Sequence, residues 1–290
     1  MLLGQLAALA GAVGWAAGGV AIKTVSSSFS AVQISAVGYW VATVIMVLLV
    51  VATGSLDEFA GMPFQSMAWL AGAGVLYTFS DLAFVRLLAL GAVGWTFVTT
   101  TSLFILFSLL SGVLILGDDM TVVAYIGAAA IVAGIYLINR SGTGALEPWR
   151  GLRLRLGISV GVAFVWAAAL LMTDVGVEDA DPFGAALWLA AVPAAFYVGF
   201  AAVSRRARIS GAHSRDLRRL LAAALFFGAT VLAWTAALKL ETAGIAAILT
   251  SSSPLFAVVF AALFLRERLN RWSMLGVALC LAGIGFVLSG

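Results

Sequence analysis

The chain has 290 residues, of which 63% are hydrophobic and only 10% are charged, and its formal net charge is +3. Its mean hydropathy of +1.12 means that it holds more apolar surface than a water-soluble core of this length can bury. The composition therefore excludes a soluble fold and indicates an integral membrane protein, with the lipid bilayer as its main partner.

Apolar runs of about 17 to 25 residues, the length that crosses a bilayer as a helix, recur along the whole chain. No hydrophilic stretch between them is long enough for a separate soluble domain. We therefore predict an all-α fold of ten transmembrane helices. The predicted spans are 3–22, 31–52, 67–89, 94–116, 121–138, 156–173, 183–203, 218–238, 243–265 and 272–288.

The fourth and fifth spans are repeated as the ninth and tenth. A gap-free shift of 149 residues superposes 101–134 on 250–283. The matched pairs are Thr101 with Thr250, Leu106 with Leu255, Asp118 with Glu267, Gly127 with Gly276, and Gly134 with Gly283. Such self-similarity marks an internal duplication.

Because each copy has an odd number of spans, the two copies must insert in opposite orientations. The chain is thus predicted to form two inverted five-helix repeats around a central cavity, an arrangement typical of secondary transporters. We assign residues 1–139 to the first repeat, 140–155 to a basic linker and 156–290 to the second repeat.

Basic residues are concentrated in the connections after the first, third, fifth, seventh and ninth spans. These hold 15 of the 16 Lys and Arg residues, and Lys239 is the exception. The 15 are Lys23, Arg86, Arg140, Arg150, Arg153, Arg155, Arg205, Arg206, Arg208, Arg215, Arg218, Arg219, Arg266, Arg268 and Arg271. By the positive-inside rule, this side is cytoplasmic and both termini lie outside the plasma (inner) membrane. The same asymmetry explains the basic charge balance, so no nucleic-acid partner is expected.

Asp81 is the most informative single residue. It lies about ten residues before Gly91, where the third span ends, and so close to the middle of the membrane. An ionisable side chain at that depth is costly and is by default a functional candidate. It could bind the ammonium group of a substrate, or it could carry a proton in coupled transport.

Hydroxyl side chains cluster at equivalent places in the two repeats. The candidates are Thr99 and Thr101 in the fourth span, and Thr250 and Ser252 in the ninth. Pro254 frees a backbone carbonyl near Thr250, which hydroxyl groups can satisfy. Two interpretations stay open: the hydroxyls stabilise a kink and allow close packing, or they line a polar cavity.

Aromatic residues near the middle of their spans are candidates for the cavity wall, since a flat ring with a polar group can hold a substrate and release it. They are Trp15, Tyr39, Trp40, Tyr77 and Trp166. Simple packing is the alternative for each one. The paired glycines of the fifth and tenth spans predict a face for close helix packing.

Enzyme chemistry is not expected, because the spans contain no histidine, no HExxH motif and no cysteine cluster. We predict neither a metal site nor a cofactor.

The segment 250–283 reads T-S-S-S-P-L-F, then L-R-E-R-L-N, then G-V-A-L-C-L-A-G. It resembles the signature of EamA domains in the drug/metabolite transporter superfamily, and the resemblance extends over two repeats. It implies a ten-helix exporter-like fold in which spans 1–4 and 6–9 surround a cavity and spans 5 and 10 pack outside. It also implies small-metabolite substrates, with amino acids prominent.

Three features depart from that family. Asp118-Asp119 replace the usual Gly-Glu turn of the first repeat, and its fourth span has no proline. Ten-helix members usually have cytoplasmic termini, whereas the charge distribution here predicts external ones.

Our leading interpretation is a secondary transporter, and most directly an exporter, of small metabolites such as amino acids, acting as a monomer or homodimer. A carrier of drugs or quaternary amines is the alternative within transport, because an aromatic cage with one carboxylate would suit it equally well. A non-transporting membrane scaffold or a scramblase-like protein is the alternative outside it.

Overall fold

A computed structural model describes residues 2–111, 121–140, 149–204, 209, 213–240, 249–250, 252–267 and 270–289. Within these ranges the regular secondary structure is entirely helical. The helices are α1 (Leu2–Val25), α2 (Ala31–Thr53), α3 (Leu56–Ala60), α4 (Phe64–Leu90), α5 (Val93–Ser111), α6 (Val122–Arg140), α7 (Trp149–Val177), α8 (Pro182–Val203), α9 (Ser214–Leu240), α10 (Ser253–Phe264) and α11 (Arg271–Ser289).

Six of these helices, α1, α2, α4, α7, α8 and α9, are long and apolar enough to cross a membrane. Four shorter apolar segments lie in α5, α6, α10 and α11. Because the helices expose many large apolar side chains, the outer surface of the bundle suits lipid rather than water. The prediction of an all-α, multi-pass membrane protein is confirmed.

Local signals set several helix boundaries. Ser30 and Gln33 form a capping box at the start of α2, and Gly54 ends that helix in the left-handed conformation, with φ 77°. The side chain of Asp181 accepts hydrogen bonds from the backbone N–H groups of Phe183 and Gly184 at the start of α8.

Some boundaries differ from the predicted ones. The short helix α3 was not expected, and α7 begins at Trp149, so Arg153 and Arg155 are helical. Arginine has a high helix propensity, and its charge alone does not end a helix. Pro254 lies in the first turn of α10, where its missing N–H has no partner within that helix to lose. Of the predicted features, 112–116, Asp118, Asp119, 243–248 and Ser251 lie outside the described residues.

The contacts between the two halves are reciprocal. Helices α1, α2, α4, α5 and α6 of the first half correspond to α7, α8, α9, α10 and α11 of the second. The contact of α1 with α9 therefore matches that of α7 with α4, and the contact of α2 with α9 matches that of α8 with α4. In the same way, the contact of α5 with α7 matches that of α10 with α1. Three more pairs, α2 with α8, α5 with α10 and α6 with α11, join equivalent helices. Replacing each helix by its counterpart in the other half therefore reproduces these contacts, and the contact of α5 with α11 lies outside this pattern.

The bundle has two chemically different ends. The basic end holds Lys23, Arg86, Arg155, Arg219 and Arg271, and the acidic end holds Asp57, Glu58, Asp174, Glu178 and Asp181. At the basic end, the Ser28 hydroxyl after α1 donates to Asp216 Oδ2 at the start of α9 (3.1 Å). At the opposite, acidic end, Lys239 of α9 donates to the backbone carbonyls of Val177 and Glu178 at 3.5 and 2.9 Å. Lys239, the exception in the charge distribution, thus lies at the negative end of the α7 dipole.

The helices α6 and α11 cross at their glycines. A methyl group on Gly134 would lie 2.7 Å from the Gly276 carbonyl oxygen, and one on Gly283 would lie 2.6 Å from the Gly127 carbonyl oxygen. The predicted close-packing face is therefore confirmed, and both halves use it in the same way.

Candidate functional site

A cavity of about 160 Å³ lies between the two halves of the bundle. Helices from both halves contribute to its wall, which is largely aromatic and carries one carboxylate and several hydroxyl groups. It is lined by Gly11, Trp15, Tyr39, Tyr77, Asp81, Thr101, Phe104, Trp166, Leu189, Phe227, Thr230, Val231, Trp234, Thr250 and Ser253.

The carboxylate of Asp81 is held by donors from both halves. Only 7% of the residue is exposed. The Tyr39 hydroxyl donates to Asp81 Oδ2 at 2.6 Å, and the Trp166 indole N–H donates to Asp81 Oδ1 at 2.8 Å. Two donors offset part of the cost of burying the charge and fix its position. Since a carboxylate can accept about four hydrogen bonds, Asp81 keeps the capacity to bind a cationic group or a proton.

Aromatic rings surround this carboxylate. Trp15 stacks on Phe84 with a centroid distance of 5.3 Å and meets Trp166 edge-on at 5.9 Å. Phe227 meets Tyr39 edge-on at 4.8 Å. The faces of such rings attract cations, and their edges pack well against apolar groups. The site can therefore bind a small molecule that combines an apolar body with a positive charge.

The cavity extends from Asp81 toward the acidic end. Leu189 follows closely after the start of α8, and Trp234 lies shortly before the end of α9, both at that end of the bundle. Asp81 itself lies in the second half of α4, nearer the basic end.

A second, smaller cavity of about 30 Å³ lies on the other side of Asp81. Its wall includes Ile22, Ser35, Val85 and Leu220, all near helix termini at the basic end. Four residues line both cavities: Trp15, Tyr39, Asp81 and Phe227. This group of four is the partition between the two spaces.

Residues 2–140 and 156–289 match the model of the EamA-like transporter family. The chain belongs to this family. The family is part of the drug/metabolite transporter superfamily, whose members are transporters rather than enzymes, and the resemblance expected from segment 250–283 is confirmed. The EamA-like chain is thus a multi-pass membrane protein of a transporter family.

Comparison with solved structures found a chain whose fold is similar to that of this EamA-like chain. A chain described as "Crystal structure of protein" superposes with a TM-score of 0.72 and 13% sequence identity, covering 98% of this chain and 95% of its own. At that identity the similarity concerns the fold alone. A comparison with curated proteins found no match.

Most of the predicted site residues of the EamA-like chain meet at the cavity. Those that line it are Trp15, Tyr39, Tyr77, Asp81, Thr101, Trp166 and Thr250. They come from six separate segments, which the inverted packing of the two halves brings together.

Three predicted residues do not line the cavity, for reasons of helix geometry. Trp40 follows Tyr39 by one residue, about 100° around the helix, and is 45% exposed on the outer surface. Thr99 is fully buried on another face of α5 than Thr101. Ser252 lies at the start of α10, where its hydroxyl donates to the Leu249 carbonyl at 2.6 Å, while Ser253 lines the cavity instead.

The sequence reasoning missed several lining residues: Gly11, Phe104, Leu189, Phe227, Thr230, Val231, Trp234 and Ser253. The internal repeat held a signal for some of them. The 149-residue shift that superposes Thr101 on Thr250 also superposes Asp81 on Thr230, and Phe104 on Ser253. All of these line the cavity. The two halves thus contribute equivalent positions, but among the described lining residues only the first half contributes a charge.

A proline inside α8 frees the backbone carbonyl of a residue that lines the cavity. Pro193 has no N–H group, so the carbonyl of Leu189, four residues earlier, lacks its usual helical donor. Leu189 lines the cavity. Pro193 therefore frees a carbonyl in the way that was predicted for Pro254.

Proposed function

We propose that this EamA-like chain is a secondary transporter that exports small amphipathic metabolites bearing an ammonium group, with amino acids as the leading candidates. In this proposal ten transmembrane helices form two inverted five-helix repeats, and the substrate binds between them. The reciprocal contacts between the halves support that arrangement.

One observation carries the proposal: Asp81 lies in the partition between two cavities that extend toward opposite ends of the bundle. A group bound to Asp81 can be reached from either end once the partition moves. That position is what alternating access requires of a substrate site or a proton site.

The polar groups of the wall fit an ammonium substrate. Asp81 would bind the charged nitrogen. Thr101, Thr230 and Thr250 would supply neutral hydrogen bonds. Trp15 and Trp166 would pack against the apolar part of the substrate.

Among the described lining residues there is no Lys, Arg or His. Phosphorylated substrates usually require such groups, and this wall offers none to neutralise a phosphate. We therefore place sugar phosphates and nucleotides outside the substrate class.

The larger cavity extends toward the acidic end. If that end is outside, as the distribution of basic residues predicts, the structure represents an outward-facing form in which an exported substrate is released. The location proposed for the protein is the plasma (inner) membrane, with both termini outside.

Uptake into liposomes that contain the purified protein tests the proposal. Asp81→Asn should reduce amino-acid transport at least tenfold, because an ammonium–carboxylate hydrogen bond contributes about 1.5–3 kcal/mol. Asp57→Asn is the matched control, since Asp57 is exposed in α3, away from the cavity. Unchanged transport by Asp81→Asn would remove Asp81 from the mechanism.

A second candidate is transport of lipophilic or quaternary cations. The aromatic rings around a single carboxylate favour it, because such a ligand needs no partner for a substrate carboxylate. Thermal stabilisation by ligands separates the candidates. Amino acids should raise the unfolding temperature under the first proposal and lipophilic cations under the second. Stabilisation by neither would favour a scaffold or a scramblase-like protein.

A further inference from the structure

The connection between α4 and α5, at the basic end, is held by charged side chains from other parts of the chain. The Lys23 ammonium group, near the end of α1, donates to the backbone carbonyls of Leu88, Ala89 and Gly91 at 3.0, 3.1 and 2.8 Å. These carbonyls form the negative end of the α4 dipole. Lys23 therefore joins α1 to α4, and both helices belong to the first half.

Glu267, in the connection between α10 and α11, binds the other side of the connection between α4 and α5. Its Oε1 accepts a hydrogen bond from the Val93 N–H at 2.9 Å, and its Oε2 accepts one from the Gly94 N–H at 3.2 Å. Both amides lie at the positive end of the α5 dipole, where a carboxylate binds well. Glu267 therefore joins the second half to the first.

Two further contacts join the second half to the start of α5. Gly94 packs closely on α10, since a methyl group there would lie 3.3 Å from Val258 Cγ2. The Arg155 guanidinium of α7 lies over the Trp95 ring at 4.8 Å, so a second element of the second half also contacts the start of α5.

The residue before Glu267 has an unusual backbone conformation. Among the described residues, Arg266 is the one non-glycine residue with a positive φ, at 55°. A non-glycine residue in this region costs about 1 kcal/mol or more and persists where surrounding contacts require it. Here the turn directs the Glu267 side chain to the start of α5.

The charged contacts thus fall into two kinds. Lys23 connects two helices of the first half, and Lys239 connects α9 to α7, two helices of the second half. Glu267 connects the two halves through two backbone hydrogen bonds, and Arg155 over the Trp95 ring and Asp216 with Ser28 also join the halves at the basic end. When two halves rock about a central site, contacts within each half persist, while contacts between them at the closed end must break.

We propose that Glu267 is a latch between the two halves: its hydrogen bonds to the start of α5 keep the basic end closed and must release before the partition opens toward that end. Glu267 is then a positioning residue, which acts on the site through α5, the helix that carries Thr101 and Phe104. This inference rests on the proposed transport cycle.

Cysteine labelling at two positions tests the latch. Ser35→Cys places a thiol on the small cavity at the basic end, where a space of about 30 Å³ holds about one or two water molecules and excludes a maleimide unless that end opens. Thr230→Cys places a thiol on the larger cavity. The natural Cys280 is fully buried, and the chain without added cysteines measures its background.

Glu267→Gln removes the charge and replaces one acceptor oxygen with an amide group. We expect it to label about tenfold faster at Ser35→Cys and more slowly at Thr230→Cys, because the balance of states shifts toward opening at the basic end. Glu267→Asp, one methylene shorter, should shift both rates in the same directions but less, and it carries the test if Glu267→Gln does not fold. Glu58→Gln, the same change at an exposed residue of α3, should alter neither rate.

The opposite direction of the two changes is the signature of a latch. A variant that was merely loosened would label faster at both positions, and that result would overturn the proposal, as would two unchanged rates. The labelling needs no substrate, so it gives the same answer whatever the protein transports. If the rates do not change, the transport proposal still stands on Asp81.

Discussion

The crossing of α6 and α11 gives a quantitative test of the packing. A methyl group added at Gly134 would lie 2.6 Å from Cys280 Sγ and 2.7 Å from the Gly276 carbonyl oxygen. At Gly283 it would lie 2.6 Å from the Gly127 carbonyl oxygen. Ordinary contacts of this kind begin at 3.4 Å, and a backbone oxygen cannot turn away as a side chain can. The helices would therefore have to separate by several tenths of an ångström.

Overpacking of this kind typically costs about 1–3 kcal/mol. A Gly→Ala change in a helix also gains up to about 1 kcal/mol from backbone propensity, which would hide part of that cost. Gly285 provides the control: it lies two residues beyond Gly283 in α11, and a methyl group there meets no atom within 4 Å. The difference between Gly283→Ala and Gly285→Ala therefore isolates the overpacking, and we expect about 1–3 kcal/mol.

Thermal unfolding of the purified variants in detergent measures this difference. Gly134→Ala and Gly283→Ala should both have an unfolding temperature well below that of Gly285→Ala. Ligand binding should not change, since no described residue of α6 or α11 lines the cavity. Equal unfolding temperatures for Gly283→Ala and Gly285→Ala would refute the close crossing of these helices.

Three further predictions concern residues of the cavity and the turn at Arg266, directly before Glu267. Trp15→Ala should raise the substrate concentration for half-maximal transport about tenfold, because it removes a wall ring, while Trp40→Ala on the outer surface should change it less than twofold. Equal effects would contradict the assigned wall. Tyr39→Phe and Asp81→Asn should be non-additive in unfolding free energy by about 1.5–3 kcal/mol, and additivity would argue against their hydrogen bond. Arg266→Gly should raise the unfolding temperature by relieving the positive φ, and a lowered temperature would mean that the arginine side chain stabilises the turn.

Much of the fold could be predicted because the membrane imposes simple rules. A helix must satisfy its own backbone groups in lipid, so an apolar run of sufficient length indicates a helix without knowledge of its neighbours. The glycine face of α6 and α11 was also predictable, since small residues at matched positions indicate close approach. The start of α7 at Trp149 was not, because arginine residues suit both a linker and a helix end.

The site was predictable in its chemistry but only partly in its residues. Asp81 was identified because a charge at mid-membrane depth is costly whatever surrounds it. For the rings and hydroxyls, depth alone could not distinguish Tyr39 from Trp40, or Thr101 from Thr99. Those pairs lie at similar depths, and the rotation of each helix about its axis decides which residue faces inward.

Local composition and self-comparison were sufficient to establish the membrane location, the helical class, the duplication and the buried charge of Asp81. The rotation of the helices, the hydrogen bonds from Tyr39 and Trp166 to Asp81, and the reach of Glu267 to the start of α5 from the other half depend on the packed bundle. These contacts join residues between 42 and 174 positions apart. Such pairings depend on the packing of two whole halves, which local sequence patterns do not specify.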